Sequence, residues 1–263
     1  METILDRIIE QKKKEVLLLQ ESKEIIQEFK YPKRSLIEKL QTANEISIIA
    51  EYKRASPSKG LINNGVEPAV QAAIYEKSGA SAISVLTDST FFKGSFSDLK
   101  SVREAVNLPI LCKDFIISPL QIDVAAAHGA NIILLIVAAL EERQLHELFQ
   151  YAKKKGLEVL VEVHNQNELE IALKTGAKLI GVNNRDLKTF TVSLEVTEQL
   201  AEIVKKSDAY LISESGIHTE QDAERVRNAG ANGILVGEAF MVSQDIEESF
   251  LNLRLPLQEG VKK

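Results

Sequence analysis

The chain is poor in features that mark several common protein classes. It has one cysteine, Cys112, in 263 residues. A lone thiol builds neither a disulfide framework nor a multi-cysteine zinc site, so a reducing compartment fits and structural zinc does not. With six prolines, 44% hydrophobic and 27% charged residues, a disordered, collagen-like or linker-dominated chain is excluded. No apolar run approaches the ~20 residues needed to cross a bilayer, and the N-terminus is an amphipathic charged stretch, not a secretory leader. A cytoplasmic protein without membrane contact is expected. Basic surplus is missing too: the formal charge of -6 argues against generic nucleic-acid binding, so any anion must be held by a local site. No His-His-carboxylate set has metal-ligand spacing, no P-loop occurs, and Gly233-Ile-Leu-Val-Gly237 is not a dinucleotide fingerprint. No metal is expected.

The length suits one closed (β/α)8 barrel, for which roughly 250 residues is typical. Residues 1 to about 44 read as a helical extension, with Ile4, Leu5, Ile8 and Ile9 near one face and Lys12, Lys13 and Lys14 as a solvated run. From Ile46 onward short apolar runs alternate with amphipathic stretches, the pattern of βα units around a parallel sheet. Strands are expected near Ile46–Lys53, Ala82–Asp88, Ile110–Asp114, Ile132–Val137, Glu158–Val163, Leu179–Asn183, Tyr210–Glu214 and Ile234–Gly237, with helices between them and Ile246–Leu253 last. Gly79-Ala80, Gly129-Ala130, Gly176-Ala177 and Gly230-Ala231 each fall just before an even-numbered strand, where glycine suits a left-handed helix C-cap. The expectation is one domain over residues 1–263, with the barrel spanning 45–255; an open doubly wound sheet is the alternative.

Alternation along a strand sends residues two apart to one side. Ile49, Glu51 and Lys53 therefore share a face, as do Leu111 and Lys113, Leu160 and Glu162, Gly181 and Asn183, and Ile212 and Glu214. The polar member comes last in each strand, and in this fold functional groups emerge at the carboxyl ends. Buried salt bridges are the plain alternative for any one of these residues. For lysines and glutamates arriving together at one end an active site is favoured, since desolvating several charges costs several kcal/mol each. Ser213-Glu-Ser-Gly-Ile217 after the seventh strand and Val236-Gly-Glu-Ala-Phe-Met241 after the eighth suggest a phosphate site, with Gly216 and Gly237 allowing close approach. The loop Arg54-Ala-Ser-Pro-Ser-Lys-Gly60 brings hydroxyls and cations to the same mouth. Cys112 alternates away from Lys113 toward the helices, and His164 and His218 keep only supporting roles.

These segments resemble the indole-3-glycerol phosphate synthase family. The likeness is carried by Ile49-Ala-Glu-Tyr-Lys-Arg-Ala-Ser-Pro-Ser-Lys-Gly60, Ser84-Val-Leu-Thr-Asp88 with Phe91-Phe-Lys-Gly-Ser95, Lys113-Asp-Phe-Ile-Ile117, Leu160-Val-Glu-Val-His164, Ile180-Gly-Val-Asn-Asn-Arg-Asp-Leu187, Ser213-Glu-Ser-Gly-Ile217 and Val236-Gly-Glu238. The resemblance implies a carboxy-lyase of tryptophan biosynthesis that needs no cofactor and acts, as a monomer, on a small phosphorylated substrate. It implies Lys113 as general acid for ring closure, with Glu51, Lys53 and Glu162 sharing later proton transfers. Asn183, Arg185, Glu214 and Ser215 match positions that bind the sugar and carboxylate or orient the lysines. Lys53, Ser56, Gly216, Gly237 and Glu238 match those around the phosphate. Glutamates near a lysine hold its pKa up and a second cation pulls it down, and their balance is left open. Ala239 stands where many relatives carry Ser, and Cys112 where Arg is frequent. Another phosphate-binding barrel, phosphoribosylanthranilate isomerase, would use a Cys and Asp pair, for which Cys112 points the wrong way. A non-catalytic ligand-binding barrel is disfavoured by the retained acid and base residues.

Overall fold

Eight parallel strands close into a barrel in a computed structural model that describes residues 3–22 and 31–258. They are β1 (Ser47–Tyr52), β2 (Ala82–Leu86), β3 (Ile110–Lys113), β4 (Ile132–Ile136), β5 (Glu158–Val163), β6 (Leu179–Asn183), β7 (Tyr210–Glu214) and β8 (Gly233–Val236). Each strand pairs with its sequence neighbour and β8 returns to β1, so no edge is left open. The strand expectations hold to within a residue or two. β2 ends at Leu86: the Thr87 N–H still donates to the Lys113 carbonyl at 3.2 Å, but its hydroxyl donates to Asp114 at 2.6 Å, and Asp88 accepts the Phe91 and Phe92 N–H groups at 2.6 and 3.1 Å.

The helices are α1 (Ile4–Ser22), α2 (Leu36–Thr42), α3 (Pro68–Lys77), α4 (Phe96–Ala105), α5 (Pro119–Ala127), α6 (Glu142–Lys154), α7 (Gln166–Lys174), α8 (Glu195–Lys205), α9 (Glu220–Ala229), the short α10 (Glu238–Val242) and α11 (Ile246–Leu253). Gly79, Gly129, Gly176 and Gly230 have φ of 97°, 95°, 80° and 119°, the left-handed caps read from the repeat. Alternation divides the apolar side chains into two layers. Ile48, Ala50, Ile83, Val85, Ile110 and Cys112 pack outward against the helices. Ile49, Leu111, Leu160, Ile212 and Leu235 fill the barrel interior. Cys112 thus sits in the helix-facing core, its thiol pushed up to about 12 by burial.

The N-terminal extension departs from the expected single helix. Residues 31–35 have no regular structure and separate α2 from the earlier segment, and residues 23–30 lie outside the described residues. α2 plugs the amino end of the barrel: Leu36 and Leu40 join the interior cluster, while the Leu36 N–H donates to Glu158, the first residue of β5, at 3.0 Å. α1 instead reaches the carboxyl end, where Ile4, Leu5 and Ile8 face the mouth.

Lys12 corrects the reading of a solvated lysine run. It is 2% exposed. Its Nζ lies 2.9 Å from Asp88 Oδ2, 2.8 Å from Asp114 Oδ1 and 2.8 Å from Glu15 Oε2. Ile8, Lys12 and Val16 are spaced by four, so all three fall on the buried stripe of α1. Lys13 and Lys14 are exposed as expected.

Candidate active site

Register sets the heights of the polar side chains at the mouth. Lys113 pairs with Leu86, Glu162 lies level with Ile136 and Gly181, and Asn183 with Glu214. One pocket is lined by Glu51, Lys53, Ser56, Lys113, Glu162, Asn183, Arg185, Glu214, Ser215, Gly216, Gly237 and Glu238, so the structure brings together the residues matched to catalytic, substrate and phosphate positions, while Arg54, Lys59 and His164 are outside the lining. The pocket has an apolar side that the sequence reading missed, made by Ile4, Leu5 and Ile8 of α1 with Phe92, Phe115, Leu134 and Phe190. Phe92 and Phe115 have ring centroids 5.9 Å apart. The amphipathic stripe of α1 was the available signal, but sequence alone gave it no address.

Lys113 is the centre of the polar side. Its ammonium donates to Glu162 Oε2 at 3.2 Å and to Glu214 Oε2. Burial opposes its charge, but Glu214, Glu162 and Glu51 outweigh that and hold its pKa above the ordinary lysine value. The open question of which neighbours prevail is therefore answered in favour of the glutamates. Glu162 behaves in the opposite sense: burial opposes ionisation, yet Lys113, His164 and Asn183 hold the carboxyl well below the usual range. Glu214 is pushed up to about 7, by burial first and then by the like charges of Glu162 and Glu51, with Lys113 pulling against them. Its Oε1 has no hydrogen-bond partner among the described residues.

Asn183 joins the two halves of the site. Its Nδ2 donates to Glu162 Oε1 at 3.1 Å, and its Oδ1 accepts the Ser215 hydroxyl at 2.9 Å and the Arg185 N–H at 3.0 Å. Ser215 has φ of 67°, a left-handed conformation that a non-glycine residue holds only when its surroundings impose it. The constraint comes from Asn184, 2% exposed, whose Nδ2 reaches the Ser213 hydroxyl and the Glu214 and Ser215 carbonyls, each at 3.0 Å. Asn184 was part of a quoted motif but had no role assigned, because alternation alone turns it away from the pocket.

Two glycines make room for carboxylates. A Cβ at Gly181 would collide with Glu214 Oε1, and one at Gly237 would stand 2.5 Å from Glu51 Oε1. Gly237 thus seats Glu51, in addition to lining the mouth where an anion was expected. Glu51 pairs with Lys53 at 2.5 Å.

In the loop after β1, a small hairpin (Ala55–Ser56 with Gly60–Leu61), Ser56, Pro57 and Ser58 line the pocket. Arg54 lies outside that lining: it pairs with Asp98 at 2.5 and 2.9 Å and sits 5.1 Å from the Tyr52 ring centroid. Lys59 pairs with Glu238 at 3.1 Å. His218 is exposed at the rim, and Cys112 is absent from the lining. Among the described residues no group of three or more His, Cys, Asp or Glu side chains is arranged to hold a metal ion, and no helix is long and apolar enough to cross a membrane.

A family model described as indole-3-glycerol phosphate synthase matches residues 5–253. The chain belongs to the indole-3-glycerol phosphate synthase family. Relatives bearing that name from two strains of Bacillus cereus are 53% and 54% identical, and one from Bacillus thuringiensis subsp. konkukian is 53% identical; each alignment covers 95% of this chain and 97% of the relative. Among solved structures the barrel resembles thiamine phosphate pyrophosphorylase from Pyrococcus furiosus, with a TM-score of 0.61 at 20% identity over 83% of this chain and 96% of that one. It also resembles the N-acetylmannosamine-6-phosphate 2-epimerase from Clostridium perfringens, with a TM-score of 0.59 at 17% identity over 80% and 93%. These two likenesses establish shared fold alone.

Proposed function

We propose that the pocket closes an indole ring, converting 1-(2-carboxyphenylamino)-1-deoxyribulose 5-phosphate to indole-3-glycerol phosphate with loss of carbon dioxide and water, in tryptophan biosynthesis. The observation that carries this reading, beside family membership, is the Lys113 ammonium held between Glu162 and Glu214 at the wall of the pocket. Attack of the carboxyl-bearing ring carbon on the ribulose carbonyl leaves negative charge on that oxygen, and Lys113 supplies its proton. Release of carbon dioxide returns an electron pair to the ring and restores aromaticity. Dehydration then needs a second acid at the departing hydroxyl and a base for the remaining proton. Lys53, with Glu51 beside it, is the second donor, and Glu162, held ionised, is the acceptor.

Binding divides along the two sides of the pocket. The aromatic ring of the substrate suits the wall of Leu5, Ile8, Phe92 and Phe115, where apolar surface leaves water. Asn183, Arg185, Glu214 and Ser215 face its hydroxyls and carboxylate. Lys53, Ser56, Gly216, Gly237 and the Glu238 backbone take the phosphate, beside the loops after β7 and β8. Purified protein given this substrate is expected to develop indole fluorescence with one carbon dioxide per product. Absence of turnover by folded protein contradicts the reading.

A further inference from the structure

His164 touches this machinery without lining the pocket. It follows β5 two residues after Glu162, and its side chain is 12% exposed. Its Nδ1 lies 3.0 Å from Glu168 Oε2, and the same oxygen accepts the His164 backbone N–H at 2.8 Å. Glu168 is itself fixed: its backbone N–H donates to Asn165 Oδ1, the N-cap of α7, and its Oε1 accepts from Asn165 Nδ2 at 2.6 Å. With Nδ1 committed to Glu168, Nε2 faces Glu162 Oε1 at 3.4 Å, an ion-pair distance without hydrogen-bond alignment.

We propose that His164 is a positioning residue, an imidazolium braced by Glu168 that keeps Glu162 a carboxylate until it accepts the proton released in dehydration. The proposal rests on the reading of Lys113 as the proton donor and Glu162 as an acceptor. Glu162 is 3% exposed and its Oε2 faces Lys113. Once Lys113 has given its proton to the substrate it is neutral, and a buried carboxylate left without a counterion takes up a proton. A second cation that is never transferred prevents this and leaves Glu162 ready for the later step. The charged groups facing His164 are Glu162 and Glu168; those facing Glu162 are Lys113 and His164, with Glu214 across Lys113. Burial works against the imidazolium, but the two glutamates push His164 up to about 10, so it stays charged through the neutral range.

The test is the pH dependence of kcat for wild type, His164→Gln and Glu168→Gln, together with 13C NMR of the Glu162 carboxyl. His164→Gln is expected to lower kcat about tenfold or more while KM moves little, and to shift the acid limb of kcat upward by on the order of one pH unit as Glu162 keeps its proton to higher pH. Glu168→Gln leaves the imidazole with one carboxylate, so the basic limb moves to lower pH. An acid limb unchanged in His164→Gln overturns the proposal. So does a Glu162 carboxyl that titrates identically in wild type and either variant, a comparison that remains available if His164→Gln does not fold. Wild-type protein without turnover would refute the functional reading instead, and the NMR comparison would still decide the proposal.

Discussion

Two lysines stand among carboxylates at the carboxyl end of this barrel, and their surroundings differ. Lys12, on α1, meets Asp88, Asp114 and Glu15 and does not line the pocket. The other oxygens of its two aspartates are used by the protein: Asp88 Oδ1 accepts the Phe91 and Phe92 N–H groups, and Asp114 Oδ2 accepts Thr87. Lys113 meets Glu162 and Glu214 and does line the pocket. Each cluster keeps one buried carboxylate oxygen without an aligned hydrogen-bond donor among the described residues, Asp88 Oδ2 beside Lys12 and Glu214 Oε1 beside Lys113. Burial and ion pairing are common to both lysines. What separates them is access: Lys113 with both of its carboxylate partners lines a pocket that a substrate can enter, whereas of the Lys12 cluster only Asp114 reaches that lining.

Exchanging each lysine for a residue of similar length should break the comparison cleanly. Lys113→Met is expected to lower kcat by about 10² or more, the scale of a lost general acid, followed by indole fluorescence at saturating substrate. Its Tm should fall less than that of Lys12→Met, because water in the pocket can solvate the freed carboxylates and Glu162 keeps His164 and Asn183. Lys12→Met leaves Asp88 and Asp114 buried without their cation, which should cost about 3–5 kcal/mol in urea unfolding, with kcat changed far less than in Lys113→Met. A Lys12→Met protein of normal stability would show that the ion pairs do not fasten α1.

The smallest expected effect is one of pH. Glu214 has its pKa raised, to about 7. A raised carboxyl contributes stability that is fully present below its unfolded value and lost as pH rises through the folded one, so its contribution declines from about pH 4.5 to 7. Glu214→Gln should therefore leave Tm nearly unchanged near pH 4.5 and raise it at pH 8 relative to wild type. Equal Tm differences at both values would mean that Glu214 does not titrate in this window.

The barrel was legible in the sequence because its two periodicities are local. Alternation within each strand put Glu51, Lys113, Glu162, Asn183 and Glu214 at one end, and these residues do line one pocket. Lys12 was misread because lysines side by side resemble a solvated run, while the four-residue spacing of Ile8, Lys12 and Val16 pointed inward. The division of the extension into α1 at the mouth and α2 at the floor was not legible, since both carry apolar stripes and only tertiary packing decides which surface each covers. Asn184 escaped for a related reason, since its importance lies in what it holds, Ser215, whereas His164 has a supporting role in the sequence reading but no partner there, and packing puts it beside Glu162.

The most direct test of Lys113 as the ring-closing acid is a single turnover of Lys113→Ala with enzyme in excess over the carboxyphenylamino-deoxyribulose phosphate, following carbon dioxide and indole together. Carbon dioxide can leave only after the ring carbon has attacked, so the account predicts bound, unconverted substrate with neither product formed on the wild-type timescale. Carbon dioxide released at a near wild-type rate would contradict it.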